Sequence, residues 1–323
     1  MTDDRDPTPD DVIAAAERIA PFVHRTPVLT SRQLDEAAGA QVFLKGEHLQ
    51  RVGAFKYRGA TNAVQSLTDD VASCGVAAHS SGNHAQALAL AARTRGIPAW
   101  LVMPRTSSAA KRTAVEAYGA TVVECDSILT AREETLAQVL ADTGATEVHP
   151  YDDPRVIAGA GTAARELLAE VPDLDVVLVP VGGGGLLSGT SLAVAAGRPS
   201  AQVWAAEPAL ADDAARSLHT GVRQPPLPPT SIADGLLTSL SDRTFRIVRD
   251  HVTDIVTVSE DEIVAAMRFV WSRLKQVVEP SGAVPIAALL AGLVPGERIG
   301  VIVSGGNVDL DALPWRSTAG PRT

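Results

Sequence analysis

Four consecutive glycines are the strongest chemical signal in the sequence. They are Gly182 to Gly185, and they lie in the segment VVLVPVGGGGLLS (176–188) between an apolar, strand-like run and a helix-like run. Because glycine has no Cβ, several backbone N–H groups can converge on an anion at the start of a helix. No Gly-Lys-Ser/Thr follows and no register satisfies G-x-G-x-x-G, which excludes a Walker loop and the dinucleotide fingerprint. We interpret the segment as a phosphate-binding loop, with a flexible turn as the alternative.

A lysine with an aromatic neighbour forms the second signal. Lys56 lies in AFKYRGA (54–60), directly after Phe55. A lone lysine is usually a solvated surface charge, and this segment alone does not exclude that interpretation. Next to a phosphate site and an apolar neighbour, however, an amine whose charged form is disfavoured can add to an aldehyde, as a pyridoxal phosphate cofactor requires.

Polar residues follow two further strand-like runs. HSSGNHAQ (79–86) leads hydroxyl, amide and imidazole side chains directly into a helical pattern, whose first N–H groups would bind a carboxylate. Capping of that helix by Ser81 or Asn83 is the alternative, and both interpretations are compatible because caps and anion ligands share one geometry. VSGGN (303–307) is a weak turn signal on its own.

The elements that would position these residues alternate between β and α patterns. Apolar strand-like runs, each mostly followed by a stretch of helical length, predict parallel sheets covered on both faces. Predicted strands cover 42–44, 75–78, 99–102, 121–123, 176–180, 203–205 and 299–303, and predicted helices cover 12–19, 83–95, 109–118, 131–141, 161–170, 186–196 and 260–277.

Composition narrows the class of protein. The chain has 323 residues, of which 46% are hydrophobic and 20% charged, as is typical of a soluble globular protein of about two domains. A net charge of −10 with no basic run argues against nucleic-acid binding. Two cysteines, an acidic start and the lack of a long apolar run predict a cytoplasmic protein with no membrane association.

Together, the four segments resemble the fold type II pyridoxal phosphate enzymes, specifically the serine racemase and serine/threonine dehydratase group. The resemblance runs from about Arg25 (RTPVL) to about Asp309 (SGGNVD). It implies an α/β fold, similar to the tryptophan synthase β subunit, of two three-layer α/β/α lobes with twisted, largely parallel sheets. The implied large cofactor-binding domain is 1–65 plus 147–323, and the small domain is 66–146. Supporting segments are IAGAGT (157–162), AAEP (205–208) and SIADG (231–235).

The resemblance also assigns the cofactor site. Lys56 would bind pyridoxal 5'-phosphate covalently, Phe55 would flank its ring, Asn83 would bond its phenolic oxygen and Ser304 would face its pyridine nitrogen. The phosphate would be held by Gly182, Gly183, Gly184, Gly185 and the N–H of Leu186.

Substrate contacts are implied in the same way. Ser81 would be a second catalytic acid/base on the ring face opposite Lys56. The remaining substrate residues would be Ser80, Gly82, Asn83, His84, Arg132 and Thr238. Ala54 and Thr238 replace serines that are common in the group, which leaves substrate size open.

The resemblance also implies a divalent cation site, and it matches only part of a nucleotide effector site. Glu207, the carbonyl of Ala211 and Asp213 offer oxygen ligands suited to Mg²⁺ or Ca²⁺. At the nucleotide effector site of some racemases, Gln86, Tyr118, Lys275 and Asn307 match but Arg32 and Val52 do not, so activation by ATP is not expected.

The expected function is a hydroxy-amino-acid ammonia-lyase. The predicted reaction dehydrates and deaminates L-serine, L-threonine or 3-hydroxyaspartate to a 2-oxo acid and ammonia, with serine racemase activity in addition. The alternatives are a dedicated amino-acid racemase, a β-replacement synthase of the same fold, and a catalytically silent binding protein. The expected partner is the small-molecule substrate, and the expected assembly is a homodimer.

Overall fold

The structure is a computed structural model that describes residues 5–226, 228 and 230–315. It contains two sheets. The strands in chain order are β1 (Val28–Leu29), β2 (Gln41–Gly46), β3 (Val76–His79), β4 (Ala99–Pro104), β5 (Thr121–Cys125), β6 (Thr146–Glu147), β7 (Val176–Pro180), β8 (Gln202–Pro208), β9 (Asp254–Val258) and β10 (Arg298–Val303).

The larger sheet has six strands in the order β1-β2-β10-β7-β8-β9, and only the β1–β2 pair is antiparallel. Both of its faces are buried. Along β7, Val177 and Val179 pack into one apolar cluster while Val176 and Leu178 pack into the other. Because successive strand residues point to opposite faces, this division requires helices on both sides of the sheet.

The smaller sheet has four parallel strands in the order β5-β4-β3-β6. It is also covered on both faces, since Leu101 and Met103 of β4 pack on one side and Val102 on the other. The prediction of an α/β fold with two three-layer, largely parallel units is therefore confirmed. The boundary predicted between 146 and 147 falls inside β6, and the domain limits stay a prediction; residues 1–4 and 316–323 of the predicted large domain lie outside the described residues.

The helices cover these faces. They are α1 (Pro9–Ile19), α2 (Arg32–Ala38), α3 (Lys56–Gln65), α4 (Asp69–Ser73), α5 (Asn83–Arg95), α6 (Ala109–Ala117), α7 (Leu129–Thr143), α8 (Pro154–Glu170), α9 (Gly185–Gly197), α10 (Asp213–Thr220), α11 (Asp242–His251), α12 (Glu260–Phe269) and α13 (Pro280–Leu290). Short 3₁₀ turns cover Glu47–Leu49, Arg51–Gly53, Ala209–Ala211 and Asp234–Leu236.

The helix predicted over 260–277 is wrong in its second half. The α-helix ends at Phe269, a π-helical turn covers Val270–Leu274, and Lys275 has φ = 60°. A left-handed residue cannot continue an α-helix, so the chain turns here before α13. No prediction covered α13, β9, α10 or α11.

No helix among the described residues is long and apolar enough to cross a membrane.

Candidate active site

The glycine loop lies at the carboxyl end of β7 and continues into α9. Gly184 has φ = 84°, a conformation that side chains disfavour, and Gly185 begins the helix. A Cβ at Gly183 or Gly185 would overlap Tyr151, whose ring covers this side of the loop. The free N–H groups at the start of α9 therefore form a compact, side-chain-free cradle suited to a phosphate.

Lys56 lies at the start of α3, beside the carboxyl end of β10. The N–H of Phe55 donates to the Ser304 carbonyl at 3.0 Å, and the N–H of Gly306 donates to the Gly53 carbonyl at 2.9 Å. Because β10 and β7 are neighbours in the sheet, this pairing places Lys56, Ser304 and the glycine loop at one sheet edge. The topology thus brings together three segments that are far apart in the sequence.

Lys56 is partly buried, and its amine has no acidic partner among the described residues. Its Nζ donates to the Pro150 carbonyl at 2.7 Å and lies 5.1 Å from the centroid of the Phe55 ring. Burial lowers the pKa of Lys56 to about 8. At neutral pH a larger fraction of this amine is therefore neutral than in a solvated lysine, and addition to an aldehyde requires the neutral form.

The segment from Ser80 to Asn83 connects β3 to α5. The N-cap of α5 is Gly82, and no side chain caps the helix, so the capping interpretation for Ser81 and Asn83 is wrong. Ser80, Ser81 and Asn83 are partly exposed, and the first N–H groups of α5 stay available for an anion.

His84 and His79 differ in their surroundings. The buried His84 ring contacts the Val148 carbonyl through Nε2 at 2.8 Å, and burial lowers its pKa to about 3, so it is neutral. Its side chain is thus turned to β6 and only its backbone remains for a substrate. His79 is partly exposed; burial and then the charge of Arg132 lower its pKa.

Arg132, on α7, approaches the site from the small-sheet side. Its Nε is buried and has no hydrogen-bond partner among the described residues. His149 lies close to the same region, with its ring 6.4 Å from that of His79. The Nδ1 atom of His149 accepts the Asp152 N–H at 2.8 Å, which leaves its Nε2 as a donor. Thr238 is exposed in the loop after the Asp234–Leu236 turn.

Glu279 is a site residue that the sequence analysis missed. It is 4% exposed, it accepts the Asn83 Nδ2 at 2.9 Å, and its Oε2 accepts the Asn307 N–H at 3.0 Å. Burial is the main cause that raises its pKa to about 7; the hydrogen bonds from Asn83 and Asn307 oppose this shift, and the charge of Asp234 adds to it. Glu279 precedes a Pro-Ser-Gly helix start, where a glutamate is ordinary, so no local pattern identifies it.

The candidate metal ligands lie between the end of β8 and the start of α10. Glu207, at the end of β8, is buried and accepts the N–H groups of Ala214 and Ala215. Asp213 is also buried, and its Oδ2 has no hydrogen-bond partner among the described residues. Burial raises the pKa of Glu207, and burial raises the pKa of Asp213 to about 6. The described residues contain no cluster of three or more His, Cys, Asp or Glu that could hold a metal, so any ion here also needs backbone and water oxygens.

These residues fit pyridoxal phosphate. The site combines an amine of lowered pKa, an aromatic neighbour, and a loop of four glycines at a helix N-terminus, which add no side chains of their own. Phosphate binding and attachment of an aldehyde need this donor set. The fold and the site thus define a class, the cofactor-dependent enzymes that attach pyridoxal phosphate through a lysine.

Comparison with known proteins gives the family. The model of the family described as "Pyridoxal-phosphate dependent enzyme" matches residues 19–305, and the chain belongs to that family. It is 53% identical to the beta-hydroxyaspartate dehydratase of Paracoccus denitrificans over 311 residues, covering 96% of this chain and 99% of the relative. It is 48% identical to the serine racemase of Oryza sativa subsp. indica over 311 residues, covering 94% and 91% of the two chains.

A solved structure agrees with this assignment. The structure of maize serine racemase superposes with a TM-score of 0.92 at 45% identity and covers 95% of both chains. The predicted fold type II family and the prediction of an enzyme that depends on pyridoxal phosphate are confirmed.

Proposed function

We propose that this enzyme eliminates water from a β-hydroxy amino acid and releases a 2-oxo acid and ammonia, with 3-hydroxyaspartate as its preferred substrate. The reaction breaks the Cα–H and Cβ–O bonds, and the released enamine takes up water as it loses ammonia. The proposal is supported by the 53% identical relative, which is named a beta-hydroxyaspartate dehydratase. L-serine and L-threonine are the expected weaker substrates.

One observation carries the proposal: the Lys56 amine is buried against a neutral carbonyl, at the sheet edge that also holds the glycine loop and Ser304. Bound pyridoxal phosphate supplies an electron-withdrawing ring that acidifies the substrate Cα–H. Lys56 Nζ then accepts the Cα proton, while the first N–H groups of α5 hold the α-carboxylate. Ser304 offers the ring a hydroxyl rather than a carboxylate, which favours elimination over reactions that accumulate negative charge.

The preference for 3-hydroxyaspartate is based on two hydrogen-bond donors, the side chains of Arg132 and His149. The unpartnered Nε of Arg132 and the donor nitrogen of His149 could both bond a second carboxylate. L-serine has no such group. A buried guanidinium nitrogen left unpaired is costly, so a substrate that satisfies it gains binding free energy.

The test measures 2-oxo acid and ammonia from both diastereomers of 3-hydroxyaspartate, L-serine, D-serine and L-threonine. We expect turnover of 3-hydroxyaspartate to be highest. Lys56→Ala should abolish every activity together with the cofactor absorption band at about 410 nm. Lys56→Arg is the matched control, since it keeps the positive charge but cannot attach the aldehyde. Full activity in Lys56→Ala would contradict the proposal, and sulfide-dependent turnover would favour a β-replacement synthase instead.

Ser81 favours racemisation as a second activity, because a hydroxyl at this position can protonate Cα from the face opposite Lys56. The 48% identical serine racemase of rice supports this proposal. We predict that Ser81→Ala lowers racemisation of L-serine by about 10²- to 10⁴-fold and spares elimination, as measured by product chirality and pyruvate formation. Equal loss of both activities would show that Ser81 is not a separate acid/base.

We propose that Glu207, the Ala211 carbonyl and Asp213 bind Mg²⁺ or Ca²⁺. The unpartnered Asp213 Oδ2 and the raised pKa values of both carboxyl groups support a cation-binding role for these residues. Millimolar Mg²⁺ or Ca²⁺ should raise the melting temperature of the protein, and Asp213→Asn should remove this rise. An equal rise in Asp213→Asn and in the unaltered protein would place the ion elsewhere.

The predicted homodimer and cytoplasmic location remain proposals. The free thiols of Cys74 and Cys125 agree with a reducing compartment. Sedimentation of the purified enzyme and localisation of the tagged chain would test the two proposals.

A further inference from the structure

The side-chain amide of Asn83 is held at both of its ends. Its Nδ2 donates to Glu279 Oε1 at 2.9 Å, and its Oδ1 accepts from Asn307 Nδ2 at 2.8 Å. The three residues come from separate elements, because Asn83 begins α5, Glu279 precedes α13 and Asn307 follows β10. Their meeting is therefore a product of the tertiary structure.

A backbone carbonyl fixes the direction of this chain of hydrogen bonds. The Nδ2 of Asn307 also donates to the Val52 carbonyl at 2.7 Å, and a carbonyl can only accept. The orientation of the Asn307 amide is thus determined, and the atom of Asn83 that faces it must be the oxygen. Val52 has φ = 56°, an unusual conformation for a β-branched residue, so the backbone is strained where it presents this carbonyl.

The carboxylate of Glu279 fixes the other end. Its two oxygens accept the Asn83 Nδ2 and the backbone N–H of Asn307, and above its pKa of about 7 the group is an ionised carboxylate with no hydrogen to donate. If the Asn83 amide turned over, its oxygen would face the carboxylate and its nitrogen would face the Asn307 nitrogen. Both contacts would be repulsive. Asn83 Nδ2 lies 2.9 Å from Glu279 Oε1 and 3.2 Å from Oε2. Because the two hydrogens of an amide nitrogen diverge, a single hydrogen directed between the two oxygens leaves the other one for a further acceptor.

We propose that Glu279 and Asn307 are positioning residues that fix the Asn83 amide so that an N–H, and never the carbonyl oxygen, is offered to the phenolic oxygen of the cofactor. This inference rests on the proposed function, in which Asn83 contacts that oxygen. The phenolic oxygen of pyridoxal phosphate carries negative charge, which an N–H stabilises and a carbonyl oxygen repels. Asparagine alone cannot make this distinction, since its amide presents either group with little difference in shape.

The first test reverses the donor at position 307. Asn307 is exposed, so Asn307→Asp should fold, but it places an acceptor against both the Val52 carbonyl and Asn83 Oδ1. We expect the dissociation constant of pyridoxal phosphate to rise by at least about tenfold, as the loss of one charge-assisted hydrogen bond implies, and the pH at which the bound cofactor changes its absorption to shift. Asn307→Ala removes the donor without reversing it and should show a smaller change in both measurements.

The second test removes the charge of Glu279. Glu279→Gln can offer either oxygen or nitrogen to Asn83, so the same spectral shift and a weaker dissociation constant are expected, with partial rescue in Glu279→Asp. Glu166→Gln is the matched control, because it removes a partly buried carboxylate that lies far from Asn83 and bonds Arg58. It should lower the melting temperature and leave the absorption of the bound cofactor unchanged.

The outcomes separate this inference from the proposed function. If the unaltered protein binds no pyridoxal phosphate, both the proposed function and this inference fail. If the protein binds the cofactor but Asn307→Asp and Glu279→Gln retain its dissociation constant and absorption, the inference alone is overturned. Equal losses in Asn307→Asp and Asn307→Ala would also overturn it, since they would indicate a structural role with no preferred amide orientation.

Discussion

Ionisable groups are enclosed in two regions of this protein that lie on either side of helix α3, and the two regions differ in the partners of these groups. In the first, which we call the paired region, Lys45, Glu47, Arg58 and Glu166 neutralise one another. Arg58 is fully buried and bonds both oxygens of Glu47, at 2.7 and 2.9 Å, and both oxygens of Glu166. Burial alone would lower the pKa of Arg58, but the two carboxylates raise it above its usual range.

In the second, which we call the site region, the partners of Lys56, His84 and Glu279 within the described part of the chain are all neutral groups. Lys56 and His84 each bond a backbone carbonyl, and Glu279 accepts from a side-chain amide and a backbone N–H. Burial moves each pKa toward the neutral form, to about 8, about 3 and about 7. Lys56 and Arg58 are only two residues apart, so the comparison teaches that partners, and not burial alone, decide whether a buried group holds the fold or remains free to react.

The largest expected effect separates the two regions by stability. Arg58→Ala leaves Glu47 buried without its counter-ion and should cost about 3–5 kcal/mol of unfolding free energy. Lys56→Ala removes an amine that has no acidic partner and should change that free energy by less than about 1 kcal/mol in the cofactor-free protein. Urea denaturation of both variants measures the difference. Similar losses would remove the distinction between the regions.

The second prediction uses pH and Glu279. The folded protein keeps this proton up to a pH of about 7, whereas the unfolded chain loses it near 4.5. The stability linked to this group is therefore present below pH 4.5 and is lost as the pH rises through 7. Between these limits the unaltered protein should lose on the order of 3 kcal/mol relative to Glu279→Gln, measured by denaturation at each pH. The same comparison with Glu166→Gln should show a slope of the opposite sign, because hydrogen bonds from Arg58 and Lys45 outweigh burial and lower the pKa of Glu166.

The third prediction concerns how fast Lys56 reacts. Because the pKa of its amine is lowered to about 8, the neutral fraction rises with pH up to that value and then levels off. Attachment of pyridoxal phosphate to the cofactor-free protein should be about tenfold faster above pH 9 than at pH 7, as followed by absorbance in a stopped-flow instrument. A rate that still climbs steeply between pH 9 and 10.5 would mean that the amine behaves as a solvated lysine.

The smallest effect is expected for an exposed ion pair between α6 and the Asp234–Leu236 turn. Lys111 on α6 contacts Asp234 at 3.0 Å, and both side chains are largely exposed. Lys111→Ala should cost less than about 1 kcal/mol of stability, and 0.5 M salt should remove the difference from the unaltered protein. A loss as large as that of Arg58→Ala would show that exposure does not weaken charge pairs in this molecule.

The features that the sequence predicted are those encoded within short segments. The glycine loop and the AFKYRGA segment each lie within a dozen residues, and β7 and α9 together span 22, so that spacing and residue type act directly. Predictions failed where distant residues intervene. The helix over 260–277 stops at Phe269 because the chain must turn before α13 can pack on the large sheet.

The sequence by itself determined the fold class and the family and singled out Lys56 as the candidate cofactor lysine, because each of these is carried by local patterns. Only the tertiary structure decided the electrostatic state of the site. It left Lys56 without an acidic partner, paired Arg58 two residues later, and brought Glu279 and Asn307 to opposite ends of the Asn83 amide. The physical reason is that pKa values and amide orientations depend on which distant groups become neighbours, and the packing of the two sheets sets those neighbours.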